Sequence, residues 1–388
     1  MKRLPTWLEI DLDRLDKNLG HIQAAVGDGV GILLTVKADA YGHGAVQVAA
    51  AASSHVRLFG VATVDEALEL QEAGIRNGLL ILSPILETEV PVVAEHGFAI
   101  TLSSAAFVEA IARHSPDRPL DVHVEIDTGM GRSGVAEADA FDEIVAIAQS
   151  PAVKLRGVYT HFPVSDSDAG FTRAQVGRFL ALVAKLRAAG VTIPLVHSAN
   201  SAAVDGVAEA HMDMVRPGLL AYGLHPAGGT PGIDVAPIMS WKSRLVRVRR
   251  VPAGHNISYG RSFTTARDSV IGVVPVGYGH GYPLRLSGRG SMLVSGRRVP
   301  IVGRVTMDMT MVDLTDLPEV PREGDGVVLV GTQGGETISF HDLAAWADTI
   351  CYEIMCMISK RVPRTYFRRG KVETFKTLLG VIPNHVAV

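Results

Sequence analysis

Eight short apolar segments, separated by stretches with helical spacing, recur through the first part of the sequence. They lie near residues 30–36, 57–62, 78–82, 98–101, 120–126, 154–160, 193–197 and 211–215. The clearest helical stretch covers residues 172–189, where apolar side chains share one face and Gly190 follows the end. Eight strand–helix repeats are more typical of a (β/α)8 barrel than of an open sheet. The predicted fold class is therefore α/β, with an N-terminal barrel of the TIM type.

A second domain of different character follows the barrel. The repeat stops at Leu224, and residues 225–232, with the sequence HPAGGTPG, have the composition of a linker. Beyond it, short alternating runs predict a mostly β-strand domain, with a short helix after His341. These runs are residues 243–251, 269–276, 291–294, 310–314 and 326–329. We place the barrel at 12–230 and the β-rich domain at 231–388, with an N-terminal strand in 1–11 joining the latter and Asp13 capping the next helix.

Charge and apolar content limit the classes of function. The chain has 37 basic and 40 acidic residues, so its net charge of −3 gives no reason to expect binding to nucleic acid or to an anionic membrane. No apolar run reaches the length of a bilayer-spanning helix. Only two cysteines occur, without metal-type spacing. We expect a soluble cytoplasmic protein without a disulfide framework or a metal site.

Lys37 follows the first apolar strand directly. In a barrel of this type, catalytic groups lie at the carboxyl ends of the strands. A lysine there has its stem against low-dielectric packing, which disfavours the ammonium and leaves an amine able to attack a carbonyl. The simpler alternative is that Lys37 extends from a strand end into water.

The other strand ends carry complementary chemistry. They contribute Glu125, Asp127 and Arg132 after the fifth strand, Tyr159 and His161 at the sixth, His197, Asn200 and Ser201 at the seventh, and Arg216, Gly218 and Leu219 at the eighth. A lysine that forms a Schiff base, a phosphate cradle and an opposing arginine fit pyridoxal phosphate. We expect the phosphate on Ser201 and on the backbone N–H groups of Gly218 and Leu219.

Two other interpretations of this region are less favoured. Residues 129–134 match the GxGxxG pattern of dinucleotide sites, but Arg132 lies inside the pattern and no acidic residue ends the next strand. His123, Glu125 and Asp127 share one strand face and resemble a metal site. We favour a polar layer whose hydrogen bonds are satisfied inside the barrel mouth.

A set of ordered motifs then identifies a resemblance. The motifs are VKADAYGHG (36–44), DTGMGRSG (127–134), YTHF (159–162), HSANS (197–201), VRPG (215–218), SYGR (258–261), VGYGHGYP (276–283), IVGRVTMD (301–308) and YEI with RVPR (352–364). Over nearly its whole length the sequence resembles the two-domain, pyridoxal-phosphate-dependent alanine racemases. The resemblance implies an isomerase that interconverts L-alanine and D-alanine and supplies D-alanine for peptidoglycan.

The resemblance also assigns roles to residues. It implies that Lys37 and Tyr259 are the two catalytic bases, one on each face of the substrate Cα. The implied cofactor-binding residues are Lys37, Tyr41, Arg132, His161, Asn200, Ser201, Arg216, Gly218, Leu219 and Tyr352. The implied substrate-binding residues are Arg132, Tyr278, Met307 and Asp308. Tyr259, Tyr278 and Met307 would enter the site from a partner subunit, which implies a homodimer with shared active sites.

Arg216 and Tyr259 bear on the type of reaction. Arginine donates hydrogen bonds without giving up its proton, so Arg216 would keep the ring nitrogen of the cofactor neutral. Tyr259 argues against a decarboxylase, which needs no second base, and the whole β-rich domain argues against a non-catalytic carrier of the cofactor. The alternative that stays open is a racemase of broader specificity, acting on serine, lysine or arginine.

Several positions depart from the pattern of the family. Glu125 stands where many members carry a carbamylated lysine, and because a glutamate is already anionic we expect no such modification. His280 replaces a usual carboxylate and Met309 a common glutamine. Leu284 replaces an entrance arginine, for which Arg285 is a candidate substitute. These changes concern the entry corridor and its pH response.

Overall fold

The computed structural model describes residues 4–226 and 232–383. The chain divides into two compact units. One comprises Arg14–Ala40 and Ala45–Ala236; the other comprises Met1–Asp13, Tyr41–Gly44 and Pro237–Val388. Residues 227–231 of the predicted linker, the predicted boundary at 230, and both chain ends lie outside the described residues.

The first unit is a closed barrel of eight parallel strands. These strands are Gly31–Thr35, Leu58–Val61, Gly78–Ile81, Ala99–Leu102, Leu120–Asp127, Val153–Tyr159, Val196–His197 and Met214–Val215. The last strand pairs with the first, with Met214 opposite Gly31, which closes the ring. A two-residue strand, Val135–Ala136, pairs with the fifth. The predicted fold class is confirmed.

Helices precede and separate the barrel strands. They are Leu12–Val26, Ala45–Ala52, Val64–Glu72, Val90–His96, Phe107–His114, Ala140–Gln149, Ala169–Ala188 and Ser201–Gly206. The helix Ala169–Ala188 buries the apolar face predicted from the sequence, including Phe179 and Leu186, which have no exposed surface. Burying such a side chain stabilises the fold by roughly 1.5–3 kcal/mol. Inside the barrel, Leu33, Leu80, Leu195 and Met214 form one apolar cluster.

The last two barrel strands are shorter than predicted. The seventh begins only at Val196, because Pro194 has no N–H to donate and keeps the preceding residues out of the sheet. The eighth begins only at Met214, because Met212 has a positive φ of 50°, which is not an extended conformation and interrupts the predicted strand. Both strands nevertheless keep the predicted positions along the chain.

The second unit is mostly β-structure, as predicted. Its strands are Thr6–Asp11, Met239–Arg244, Arg247–Val251, Asn256–Ile257, Phe263–Thr264, Ser269–Val274, Ser291–Val294, Arg297–Pro300, Thr310–Asp313, Gly326–Gln333, Glu336–Ile338, Arg364–Arg368, Lys371–Thr377 and Gly380–Pro383. Its helices are Phe340–Ala347 and Cys351–Met357. The strand Thr6–Asp11 pairs antiparallel with Met239–Arg244 and parallel with Arg364–Arg368.

Two local predictions were wrong. The run 243–251 is two strands, because Leu245 N–H bonds to Asp325 while Val246 N–H bonds to Val273, so the chain passes from one sheet to another there. Asp13 does not cap the following helix, which begins at Leu12. Its carboxylate instead accepts a hydrogen bond from the backbone N–H of Arg369.

Within the described residues, no helix combines the length and apolarity needed to cross a membrane.

Candidate active site

Lys37 stands at the carboxyl end of the first barrel strand and is partly buried. The residues after it form a left-handed turn: φ is 53° at Ala38, Asp39 and Ala40, and 51° at Tyr41. For L-amino acids this conformation costs roughly 1–2 kcal/mol per residue. Four consecutive residues in it make a strained turn that the surrounding structure must hold, and such strain clusters at functional sites.

Arg216 lies at the end of the eighth strand and is only 6% exposed. Its Nη2 donates to the carbonyl oxygens of Thr160 at 2.8 Å and Ser198 at 3.0 Å, and it lies 3.3 Å from His161 Nδ1. Its Nη1 donates to His197 Nδ1 at 3.0 Å. Within the described residues, the Nε–H and one Nη1–H have no hydrogen-bond partner, so these donors are left for a ligand.

The histidines around Arg216 are neutral. Burial, followed by the charge of Arg216, lowers the pKa of His161 to about 3 and holds the pKa of His197 well below its ordinary value. Burial and the same charge lower the pKa of His123 to about 4. Burial also lowers the pKa of Arg216 to about 10, so its guanidinium is still charged at neutral pH.

A directional chain of hydrogen bonds leads inward from Arg216. Because arginine only donates, His197 Nδ1 must accept, and the proton of this neutral ring is on Nε2. His197 Nε2 then donates to His123 Nδ1 at 2.9 Å. Tyr159 stacks on His197 with ring centroids 4.9 Å apart, which fixes the plane of that ring. The sequence placed His197 at a strand end, but gave no signal for its contact with His123.

The loop after the fifth strand is organised by two carboxylates. Asp127 Oδ1 accepts from the N–H groups of Gly129, Met130 and Gly131 at 2.8–3.1 Å. Burial alone would raise the pKa of this carboxyl, but the three donors together lower it. Glu125, only 3% exposed, accepts from Ser133 Oγ at 2.5 Å and lies 3.9 Å from Arg132 Nη2.

These carboxylates and His123 therefore bond to separate protein partners. No group of side chains able to hold a metal ion occurs within the described residues.

Ser201 and the chain after Arg216 form a small cradle of polar atoms. Ser201 Oγ accepts from the N–H of Gly218 at 3.0 Å and of Leu220 at 3.2 Å, which leaves its own hydroxyl proton to be donated. Asn200 Oδ1 accepts from the N–H of Ala203 and caps the short helix that Ser201 begins. Leu219 is fully buried next to these groups. Three residues of the predicted phosphate site, Ser201, Gly218 and Leu219, thus lie close together, with Asn200 beside them.

The second unit holds the remaining predicted residues in two clusters. In the first, the rings of Tyr41 and Tyr352 lie 5.7 Å apart, and burial together with the nearby Tyr352 raises the pKa of the Tyr41 phenol. Arg364 donates to the carbonyl oxygen of Gly42 at 3.1–3.2 Å, and Tyr366 Oη donates to that of His43 at 2.9 Å. These bonds fix the segment that carries Tyr41.

The second cluster consists of exposed loops. Tyr259 is 72% exposed, Met307 53% and Tyr278 46%. Asp308 Oδ1 accepts from Arg361 Nη2 at 2.8 Å.

Three positions that depart from the family pattern lie in the same unit. His280 Nδ1 accepts from the N–H of Gly277 at 3.2 Å, and burial lowers its pKa. Leu284 and Met309 are exposed.

Comparison with known proteins identifies the family of this chain. Residues 10–226 match the family model "Alanine racemase, N-terminal domain" and residues 238–366 match "Alanine racemase, C-terminal domain". The chain belongs to the alanine racemase family. An alanine racemase from Halothermothrix orenii is 40% identical over 374 residues, which cover 93% of this chain and 97% of that protein.

Solved alanine racemases share the fold. The structure from Clostridium difficile 630 matches with a TM-score of 0.92 and 32% identity, covering 97% of this chain and 99% of that one. The structure from Bartonella henselae, described with covalently bound pyridoxal phosphate, matches with a TM-score of 0.85 and 26% identity, covering 94% of this chain and all of that one. Every predicted site residue lies within the segments matched by the two alanine racemase family models.

Proposed function

We propose that this chain interconverts L-alanine and D-alanine with pyridoxal phosphate, using Lys37 and Tyr259 as its two bases. The observation that carries the proposal is the barrel mouth: Lys37 ends the first strand, and Arg216, buried and with unused donors, ends the strand paired with it. A reactive amine and a permanent donor at adjacent strand ends suit a cofactor that has both an aldehyde and a ring nitrogen.

The residues present fit this cofactor. Ser201 Oγ and the N–H of Leu219 would hold the phosphate. The N–H of Gly218, which donates to Ser201 Oγ in this structure, would turn to the phosphate when the cofactor binds. Asn200 would support the loop, and the phenols of Tyr41 and Tyr352 would donate to the phosphate oxygens. Neutral His161 would pack against the ring, and Arg132 would reach its phenolic oxygen and the substrate carboxylate. When bound, pyridoxal phosphate withdraws electrons from the substrate and acidifies its Cα–H bond.

Arg216 would set the electronic character of that ring. Its pKa of about 10 keeps the guanidinium protonated across the neutral range, so it donates a hydrogen bond to the ring nitrogen and does not transfer a proton. Its protein partners within the described residues are carbonyl oxygens and neutral imidazoles, with no carboxylate among its hydrogen bonds. A neutral ring limits side reactions that a stronger electron sink would allow.

Racemisation needs a base on each face of the substrate Cα, since the proton leaves one face and returns on the other. Lys37 would remove the proton of the D-isomer and Tyr259 that of the L-isomer. A well-placed acid–base group contributes on the order of 10²–10⁴-fold to the rate. Such a group works best where water is excluded, and Tyr259 is 72% exposed on the single chain.

The exposure of Tyr259, Tyr278 and Met307 supports a homodimer in which these residues, with Asp308, complete the site of the partner. A two-fold dimer uses the same surface on both chains, so each subunit would give these loops and receive the same loops. The family and the near-neutral charge support a cytoplasmic enzyme that supplies D-alanine for peptidoglycan, with no nucleic-acid or membrane partner.

The proposal is tested by incubating the purified protein, loaded with pyridoxal phosphate, with L-alanine in deuterated water. The expected result is loss of optical rotation together with deuterium at Cα of the product. Parallel assays with serine, lysine and arginine measure specificity, because one methylene in a pocket is worth only about 1–3 kcal/mol. Absence of both racemisation and exchange with alanine would contradict the proposal.

A further inference from the structure

Glu66 joins two separate parts of the barrel unit through its carboxylate. It lies in the first turn of the helix Val64–Glu72. Its Oε1 accepts a hydrogen bond from the backbone N–H of Ala38 at 2.7 Å, and its Oε2 accepts one from the N–H of Ala62 at 2.7 Å. Ala38 directly follows Lys37 and is the first residue with positive φ in the left-handed turn.

Helix capping does not account for this arrangement. The sequence from Thr63 to Glu66 matches a capping box, in which the glutamate bonds back to the N–H of the capping residue. Thr63 does cap the helix, since its Oγ1 accepts from the N–H of Glu66 at 3.2 Å. The Glu66 carboxylate, however, bonds to the N–H one residue before Thr63 and to that of Ala38, which is 28 positions away.

The bond to Ala38 restrains the first residue of the left-handed turn. Further along, Ala40 N–H donates to the carbonyl oxygen of Val36 at 2.8 Å, and Asp39 Oδ1 accepts from the N–H of Ala45 at 2.8 Å. Both of these contacts are local in sequence, whereas Glu66 comes from the neighbouring strand–helix repeat. A hydrogen bond to a carboxylate is roughly twice as strong as one between neutral groups.

We propose that Glu66 is a positioning residue for Lys37. It holds the strained backbone directly after Lys37, so that the amine keeps one position at the barrel mouth. This inference rests on the function proposed for Lys37, but the restraint on the turn can be measured separately from catalysis.

The test compares the wild-type enzyme with Glu66→Gln. The glutamine has the same shape, but its NH2 group faces one of the two N–H donors, so one bond is lost. We expect backbone amide exchange in a peptide covering residues 37–41 to accelerate about tenfold. We also expect kcat for alanine to fall about tenfold with KM nearly unchanged, and the apo chain to load pyridoxal phosphate more slowly.

Two variants in the same segment serve as controls. Thr63→Ala removes the helix cap and leaves both Glu66 bonds, so it should lower the melting temperature while kcat and the exchange at 37–41 stay at wild-type values. Glu69→Gln makes the same chemical change at an exposed position of the same helix and should alter none of these quantities.

The outcomes separate the inference from the proposed function. If Glu66→Gln shows wild-type exchange and wild-type kcat, the inference is overturned, because the turn would then keep its position without one of the two Glu66 bonds. A loss of melting temperature like that of Thr63→Ala, without faster exchange, would overturn it as well. If exchange accelerates in Glu66→Gln but the wild-type protein does not racemise alanine, the restraint on the turn is supported and the proposed function fails.

Discussion

The barrel unit and the second unit present their candidate catalytic groups in opposite ways. In the barrel, Arg216 is 6% exposed and His197 is fully buried, and both are held by several hydrogen bonds from their own chain. In the second unit, Tyr259 and Met307 stand on loops with more than half of their surface exposed. This difference is the one expected if each chain builds its own cofactor site while Tyr259, as proposed, acts as second base in the site of a partner.

The largest expected effect comes from the exposed region. We expect Tyr259→Phe to lower racemisation on the order of 10²–10⁴-fold in both directions, because the two enantiomers have equal free energy and neither direction can be lost alone. Lys37 is still present, so D-alanine should continue to exchange its α-proton with deuterated water without inversion. NMR of D-alanine incubated with the variant measures this exchange. Full racemisation in either direction would contradict the role of Tyr259.

The Arg216→Gln variant tests the buried region. Removing a fixed donor from an enclosed site typically lowers a rate on the order of 10²-fold, and here it also leaves two carbonyl oxygens without their charged donor. We expect kcat to fall by that amount and by-products of transamination to increase, measured by chromatography of the products. Arg156→Gln, which breaks a half-exposed ion pair with Asp121, should leave both quantities unchanged. Unaltered kcat in Arg216→Gln would remove the electronic part of the account.

A smaller effect is expected at Glu125, which lies beside Arg132 and is bonded to Ser133. A hydrogen bond to a charged group is worth about 1.5–3 kcal/mol. Because glutamine still accepts from Ser133 and loses only the charge, we expect the lower end of this range for Glu125→Gln, a fall of about tenfold in kcat/KM for alanine. Glu137→Gln, at an exposed ion pair with Arg178, is the matched control. Intact-mass spectrometry of the wild-type chain should show no added carboxyl group, and activity should not depend on bicarbonate.

The remaining prediction concerns stability and its pH dependence rather than a reaction rate. His123 and His161 have folded-state pKa values of about 4 and about 3, and His197 titrates well below its ordinary value. Between about pH 6.5 and 4 the unfolded chain therefore binds more protons, so stability falls as the pH falls, by up to about 1.4 kcal/mol per pH unit for each histidine. Chemical denaturation at pH 7, 6 and 5 measures the slope, which His197→Asn should reduce. If His197→Asn has the same slope as the wild-type protein, His197 is not held neutral in the folded state.

The sequence predicted more of the barrel than of the site. The periodicity of the eight strands was sufficient for the fold class, because buried parallel strands leave a strong apolar signal. Lys37, Ser201 and Arg216 were predicted as site residues because barrel chemistry concentrates at strand ends, and the structure places all three at or just after the carboxyl ends of barrel strands. The left-handed turn was not predicted, since Ala38 and Ala40 carry no local signal for positive φ and the conformation depends on distant contacts. The split of the run 243–251 likewise depends on which strands Leu245 and Val246 meet.

The roles of Glu66 and His123 depend on tertiary contacts in the same way. The Thr-x-x-Glu pattern predicts a local cap, yet the carboxylate bonds to the turn after Lys37. The alternation around His123 predicts a polar layer and cannot specify that its partner is His197, 74 positions later. Spacing along the chain identifies residue types for a site, and only the packed structure decides which of them bond to each other.

The comparison of the two regions is tested most directly by subunit complementation. Lys37→Ala and Tyr259→Phe chains, carrying different affinity tags, are co-expressed, and the hybrid dimer is isolated through both tags. If Tyr259 completes the partner's barrel, one site of the hybrid has both bases and the other has neither, so the hybrid should regain about half of the wild-type rate. If the two bases of a site come from one chain, each site of the hybrid has one defect. The hybrid would then be as inactive as the parent variants, which would contradict the account.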